Sequence, residues 1–230
     1  LFPLASAEDF ADIYAQTLTY ALLLARLNGE SHLTAASAAA KLDSGHGLLA
    51  ETLRILTQPR ARAEIETPVA LLERVIEAVD PVQLGKRGDP WLYFYEDFLE
   101  AYDPRRRKEY GVYYTPQDVV GCQTSLVAEL LDKGFNKPMA FADEGVVFLD
   151  SSAGTGAYPL AAIEHALRKV EAELGAGAVA EYATRCAQNM YAFELQVGPY
   201  AVAHLRLTKL LTVKFRPFIN TFDKKLRRFV

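Results

Sequence analysis

Val146-Val-Phe-Leu-Asp150 is a short apolar run that ends on a carboxylate and turns through Ser151-Ser-Ala-Gly154-Thr-Gly156. A buried strand that ends in an acidic residue and enters a helix through Gly-x-Gly is how a doubly wound sheet brings backbone close to a nucleotide-like ligand. The plainer reading is that Gly154 and Gly156 make a tight strand-to-helix turn. The loop has no Gly-Lys-Ser/Thr, so a P-loop is unsupported, and it lacks the full Gly-x-Gly-x-x-Gly of dinucleotide folds. Further on, Tyr191-Ala-Phe-Glu194 reads as a second short strand closing on a carboxylate. A carboxylate there can accept both hydroxyls of a ribose, against the alternative of an exposed strand-end Glu. Tyr113-Tyr-Thr-Pro116 opens a helix with Thr115 as cap, Pro116 at the first helical position and Asp118 at the third. A helix amino terminus carries free N–H groups and partial positive charge, which suit an anionic group on a ligand.

These residues must be held by alternating strands and helices. After Thr115-Pro116 a helix runs to about Lys133, and the strand before Asp150 follows. Tyr158–Leu174 reads as a helix, Val179–Asn189 as a further helical stretch, and Val197–Leu211 as the helix after Glu194. That order predicts a parallel sheet of the doubly wound kind, of which only about two strands are present. The first third of the chain reads as helices. Phe10, Ile13, Tyr14, Thr17, Leu18, Ala21, Leu24 and Ala25 recur at helical spacing up to Asn28-Gly29. Leu48–Leu56 forms a second helix. Thr67 is expected to cap a third, which begins at Pro68 and buries Leu71, Leu72, Val75, Ile76 and Val79. The expected division is a helical module over 1–88 and an α/β domain over 89–230. The segment Trp91–Tyr102 is strongly aromatic and reads as core or domain interface.

The chain has 230 residues and a net charge of −4, and so lacks the basic footprint of a protein that grips nucleic acid over its whole surface. Arg105–Lys108 and Lys224–Arg228 are short basic clusters, each readable as a solvated face or as a local phosphate contact. Cys122 and Cys186 stand far apart, and the four histidines never fall at metal-ligand intervals, so neither structural zinc nor any other metal site is expected. The most apolar stretch, Tyr20–Ala25, is far short of the roughly 20 residues that span a bilayer. A cytoplasmic protein without membrane contact is expected. The chain opens on Leu1 and closes on a basic run ending at Val230, which reads as a piece of a longer chain.

Taken in order, Gly111-Val-Tyr-Tyr-Thr-Pro116, Asp150-Ser-Ser-Ala-Gly-Thr-Gly156, and Phe193-Glu194 followed by Pro199-Tyr-Ala-Val-Ala-His-Leu-Arg-Leu207 resemble the N6-adenine DNA methyltransferases. The closest likeness is to the single-chain type ISP restriction-modification enzymes, in which a helical region and a Tyr-Glu-x-Phe-Leu segment, here Tyr95–Leu99, lead into the first motif. The resemblance covers residues 90–210, with a weaker likeness over Phe10–Leu27. It implies the first part of a Rossmann-like sheet that binds S-adenosylmethionine. Tyr113, Thr115 and Pro116 would neighbour the methionine end of the cofactor, Asp150, Ala153, Gly154 and Gly156 would line its loop, and Glu194 would hold the ribose. The family usually has Pro after the acidic loop residue, where this chain has Ser151, a departure that bears on loop geometry and affinity.

The resemblance also implies duplex DNA as the partner of the complete protein, in a bacterial restriction-modification or anti-phage system. The family's Asn-Pro-Pro-Tyr-like motif, which holds the flipped-out adenine, does not occur: Asn28, Asn136, Asn189 and Asn220 are none of them followed by Pro. No catalytic residue is therefore assigned in this chain. The remaining carboxy-terminal methyltransferase, target-recognition and nuclease or helicase regions would lie elsewhere. Two other readings stay open, a methyltransferase acting on RNA or protein and a non-catalytic helical, cofactor-binding assembly module.

Overall fold

The computed structural model describes residues 6–43, 47–81 and 115–214. The chain divides into two compact units, Leu1–Pro90 and Trp91–Val230.

The first unit is built from α1 (Ala7–Leu27), α2 (Ala35–Leu42), α3 (Gly47–Leu56), α4 (Pro59–Glu64) and α5 (Glu66–Glu77). The second half of α1 is largely buried, Tyr20, Leu22 and Leu24 included, and Leu42 and Leu53 on the helices it contacts are buried as well. Burying a Leu side chain of this kind contributes about 1.5–3 kcal/mol. A capping box starts α2: Thr34 Oγ1 accepts from Ser37 N–H at 3.1 Å, and Ser37 Oγ accepts from Thr34 N–H at 2.9 Å.

Two expectations need correction here. Phe10 and Ile13 are exposed, at 64% and 36%, while Asp12 between them is buried. Helix α5 begins at Glu66 with Ile65 as its cap, so Thr67 and Pro68 lie inside its first turn. Its buried residues are Val69, Glu73 and Ile76, and Leu71 and Val75 face solvent. The cause is Glu73. Its carboxylate accepts from both Arg62 terminal nitrogens, at 3.1 and 3.2 Å, and from Ala35 N–H at 2.8 Å, which ties α4 and α2 to this face of α5.

In the second unit α6 (Gln117–Phe135) precedes a 3₁₀ turn (Ala140–Ala142), β1 (Phe148–Asp150), α7 (Ala157–Leu174), α8 (Val179–Asn189), β2 (Met190–Ala192) and α9 (Val197–Lys214). Asn136 ends α6 in the left-handed conformation, its N–H and that of Lys137 both returning to the Leu131 carbonyl. The two strands pair in parallel, with Phe148 opposite Met190, Leu149 opposite Tyr191 and Asp150 opposite Ala192. Because a parallel pair needs a crossover, α7 and α8 form the connection, and α8 runs into β2 without a loop. Phe148 and Met190 turn one face of the pair towards a core of Met139, Phe141, Ile163, Leu167, Val170 and Cys186. Leu149 and Tyr191 turn the other face outward, at 60% and 48% exposed. The fold among the described residues is thus mostly helical, with one two-stranded parallel sheet. Both strands are shorter than the sequence suggests, and Phe193 and Glu194 lie just beyond β2. Trp91–Tyr102 and both basic clusters lie outside the described residues.

Candidate functional site

The carboxyl ends of β1 and β2 place two sequence-distant pieces side by side. The ladder continues past the strands through Phe193, whose N–H donates to the Asp150 carbonyl at 2.8 Å and whose carbonyl accepts from Ala153 N–H at 2.9 Å. The next residue, Glu194, is thereby aimed at the loop after β1. Its Oε2 accepts from Gly154 N–H at 2.8 Å, and its Oε1 accepts from Gln196 N–H at 2.8 Å. Asp150 caps its own turn, with Oδ1 accepting from Ser152 N–H at 3.0 Å.

Residues Ala153 to Gly156 form a turn closed by Gly156 N–H to the Ala153 carbonyl at 2.8 Å. Gly154 and Gly156 both have positive φ, 53° and 81°. From Gly156 the chain enters α7. Thr155 is buried, and its carbonyl and Oγ1 accept from Arg206 Nη1 at 2.7 and 3.4 Å. The loop N–H groups of Ser152, Ala153, Gly154 and Gly156 therefore all have protein acceptors. What the site presents instead is a pair of half-buried carboxylates, Asp150 and Glu194, which suit hydroxyl or amino donors on a ligand rather than a phosphate.

The structure thus brings Asp150, Ala153, Gly154 and Glu194 together at one sheet edge. Gly156 also lies against α9, where a Cβ on it would come within 3.2 Å of the Ala203 Cβ. Thr115 does not cap α6. Pro116 occupies the cap position, one residue later than expected, without a side-chain cap bond, and its carbonyl accepts from Val119 and Val120 N–H. Helix α6 packs on α7, and Gln123 of the first is hydrogen-bonded to the Tyr158 hydroxyl of the second. Tyr113 lies outside the described residues.

Arg206 lies within the Pro199–Leu207 segment that follows Glu194 in the sequence, but no role is assigned to it there. Its signal is a cation in α9, where Ala201, Val202, Leu205 and Leu207 are all buried. On the same helix the Tyr200 ring stacks on His204 at 6.1 Å, and burial pushes the Tyr200 hydroxyl up from its ordinary pKa.

A groove of about 590 Å³ runs between α6 and α7, lined by Gln117, Thr124, Ser125, His165, Arg168 and Lys169 among others. No loop residue lines it, and its cations are paired: Arg168 with Glu164, and Lys169 with Asp132. Among the described residues no helix is long and apolar enough to cross a membrane, and no cluster of three or more His, Cys, Asp or Glu could hold a metal ion.

No protein-family model and no curated protein matches the chain. Two solved structures share its fold. One is a DrdV–DNA complex determined by cryo-electron microscopy, with a TM-score of 0.59 and 20% identity over 99% of this chain. The other is a nuclease-deletion mutant of the type ISP restriction-modification enzyme LlaGI in complex with a DNA substrate mimic, with a TM-score of 0.52 and 16% identity over 97% of this chain. The chain spans 20% and 22% of the length of those two proteins.

Proposed function

We propose that this chain is the cofactor-binding portion of an S-adenosylmethionine-dependent DNA adenine-N6 methyltransferase of a bacterial restriction-modification or anti-phage system. The observation that carries the reading is the 2.8 Å bond from Gly154 N–H to Glu194 Oε2. It joins the glycine loop after one parallel strand to the carboxylate after its neighbour, at the strand ends where open α/β sheets bind their ligands. The fold shared with two DNA-bound proteins, one a restriction-modification enzyme, supports DNA as the partner of the complete protein.

The donor set fits the cofactor. A carboxylate has about four lone-pair sites, so Glu194 keeps room for two ribose hydroxyls beside its two backbone donors. Asp150, Ala153 and Gly154 would line the loop, with Tyr113, Thr115 and Pro116, just before α6, near the methionine end. Gly156 would act from behind, by letting α9 approach. When bound, the cofactor supplies the methyl group for adenine N6. This chain's residues bind and orient it, and the groups that grip the target base belong to sequence other than this.

Calorimetric titration of S-adenosylmethionine or its demethylated product into wild type, Glu194→Ala and Glu181→Ala tests the reading. Glu181 is exposed and paired only within α8, with Arg185, so its loss should leave affinity unchanged. Loss of charge-assisted bonds worth about 1.5–3 kcal/mol each, partly replaced by water, should cost Glu194→Ala roughly 10- to 100-fold. Equal affinities in all three proteins would remove Glu194 from the site. Affinity is the deciding readout, because removing a carboxylate that holds Gly154 and Gln196 lowers stability in either case.

A further inference from the structure

One helix holds the glycine loop from behind through two residues a single turn apart. Ala203 and Arg206 share a face of α9. Ala203 lies against Gly156, and Arg206 donates to the carbonyl of Thr155. Thr155 is 1% exposed and Arg206 9%, so this charge-assisted bond is made away from water, where its strength and directionality are greatest. On the other flank Gly154, the residue before Thr155, gives its N–H to Glu194. Three successive loop residues are thus fixed by three different side chains, of which Arg206 alone is a cation. A methionine would fill much of the same volume without desolvating a charge, so what the arginine adds is the directed bond.

We propose that Arg206 is a positioning residue of the cofactor loop. By holding the Thr155 carbonyl it fixes the turn from Ala153 to Gly156 and keeps Gly154 aligned on the Glu194 carboxylate. The proposal rests on the cofactor reading only where it concerns ligand affinity. Its geometric content concerns the loop alone.

The test measures amide hydrogen exchange and S-adenosylmethionine binding in the full-length protein that carries this chain, comparing wild type with Arg206→Met, Arg206→Gln and Arg206→Lys. Met has no donor, and the Gln amide ends two bonds short of Nη. Both should speed exchange at the Gly154 and Gly156 amides by roughly 10- to 100-fold through local opening, while Leu167 and Val170 in the core of α7 stay within about twofold. Lys places an ammonium one bond short and should restore most of the protection, because a single nitrogen makes both contacts to Thr155. Cofactor affinity should follow the same order, falling about tenfold in Met and Gln and recovering in Lys. Wild-type exchange at Gly154 in Arg206→Met would overturn the proposal, and if that protein does not fold, Arg206→Gln decides by the same criterion. Uniformly faster exchange through α7 would likewise overturn it, by showing a merely structural role. Absence of cofactor binding to wild type would count against the cofactor reading, and the exchange rates would still decide the role of Arg206.

Discussion

Gly156 and Ala203 pack so closely that a side chain at the first would be crowded: a Cβ there would stand 3.2 Å from the Ala203 Cβ and 3.4 Å from its Cα. Gly156 also has φ +81°, in the left-handed region that L-residues enter at a cost of roughly 1–2 kcal/mol. Gly156→Ala should therefore lower stability by about 1–3 kcal/mol, read as a shift in urea midpoint. Gly121 makes the contrast. It lies inside α6, where a Cβ would meet nothing within 4 Å, so Gly121→Ala should raise stability by about 0.5–1 kcal/mol. Two Gly→Ala changes of the same sign would contradict this account of the loop.

The site is more legible in the sequence than the packing around it. The glycine loop, Glu194 and the parallel pairing of their strands follow from local signals, because a short apolar run, an acidic end and Gly-x-Gly leave few backbone solutions. That Glu194 reaches Gly154 does not follow, since the contact depends on the register that sets Asp150 opposite Ala192. Likewise the spacing of Leu71, Val75 and Ile76 suits a buried face, yet of these only Ile76 is buried, and Val69 and Glu73 are covered with it, Glu73 being paired with Arg62 and the start of α2. Periodicity records which residues are apolar, and an ion pair made across helices, such as that of Glu73 with Arg62, leaves no trace in it. The role of Arg206 escapes sequence reasoning in a similar way. Its role is a bond to a backbone carbonyl 51 positions away.

His165 gives the second unit a pH dependence of defined sign. Its pKa is lowered, first by burial and then by Lys169 and Arg168, so the folded protein binds that proton less tightly than the unfolded chain. A depressed folded pKa contributes stability that is present above the ordinary value of 6.5 and lost as pH falls through the folded value. Urea midpoints should therefore decline from about pH 7.5 to about pH 5.5, and His165→Gln should flatten the decline. An identical slope in the variant would show that other groups carry the acid sensitivity.

Alone, this chain should interact with DNA only weakly. It has a net charge of −4, and its two basic clusters, Arg105–Lys108 and Lys224–Arg228, are short. Phosphate neutralisation by so few cations should give only weak duplex binding without sequence preference, no tighter than about 10⁻⁴ to 10⁻⁶ M at physiological salt. Methyl transfer requires more than a bound cofactor. The acceptor amine must be held in line with the methyl group, and the sequence contains no Asn-Pro-Pro-Tyr-like motif to hold it. The 230-residue chain, given labelled S-adenosylmethionine and duplex DNA, should thus leave adenine unlabelled. Under the proposed function, both transfer and sequence-selective binding should appear only once a target-base motif and a target-recognition region are supplied. Labelled adenine from the chain alone, or submicromolar sequence-selective binding by it, would place target recognition within these residues and overturn the division of labour proposed for them.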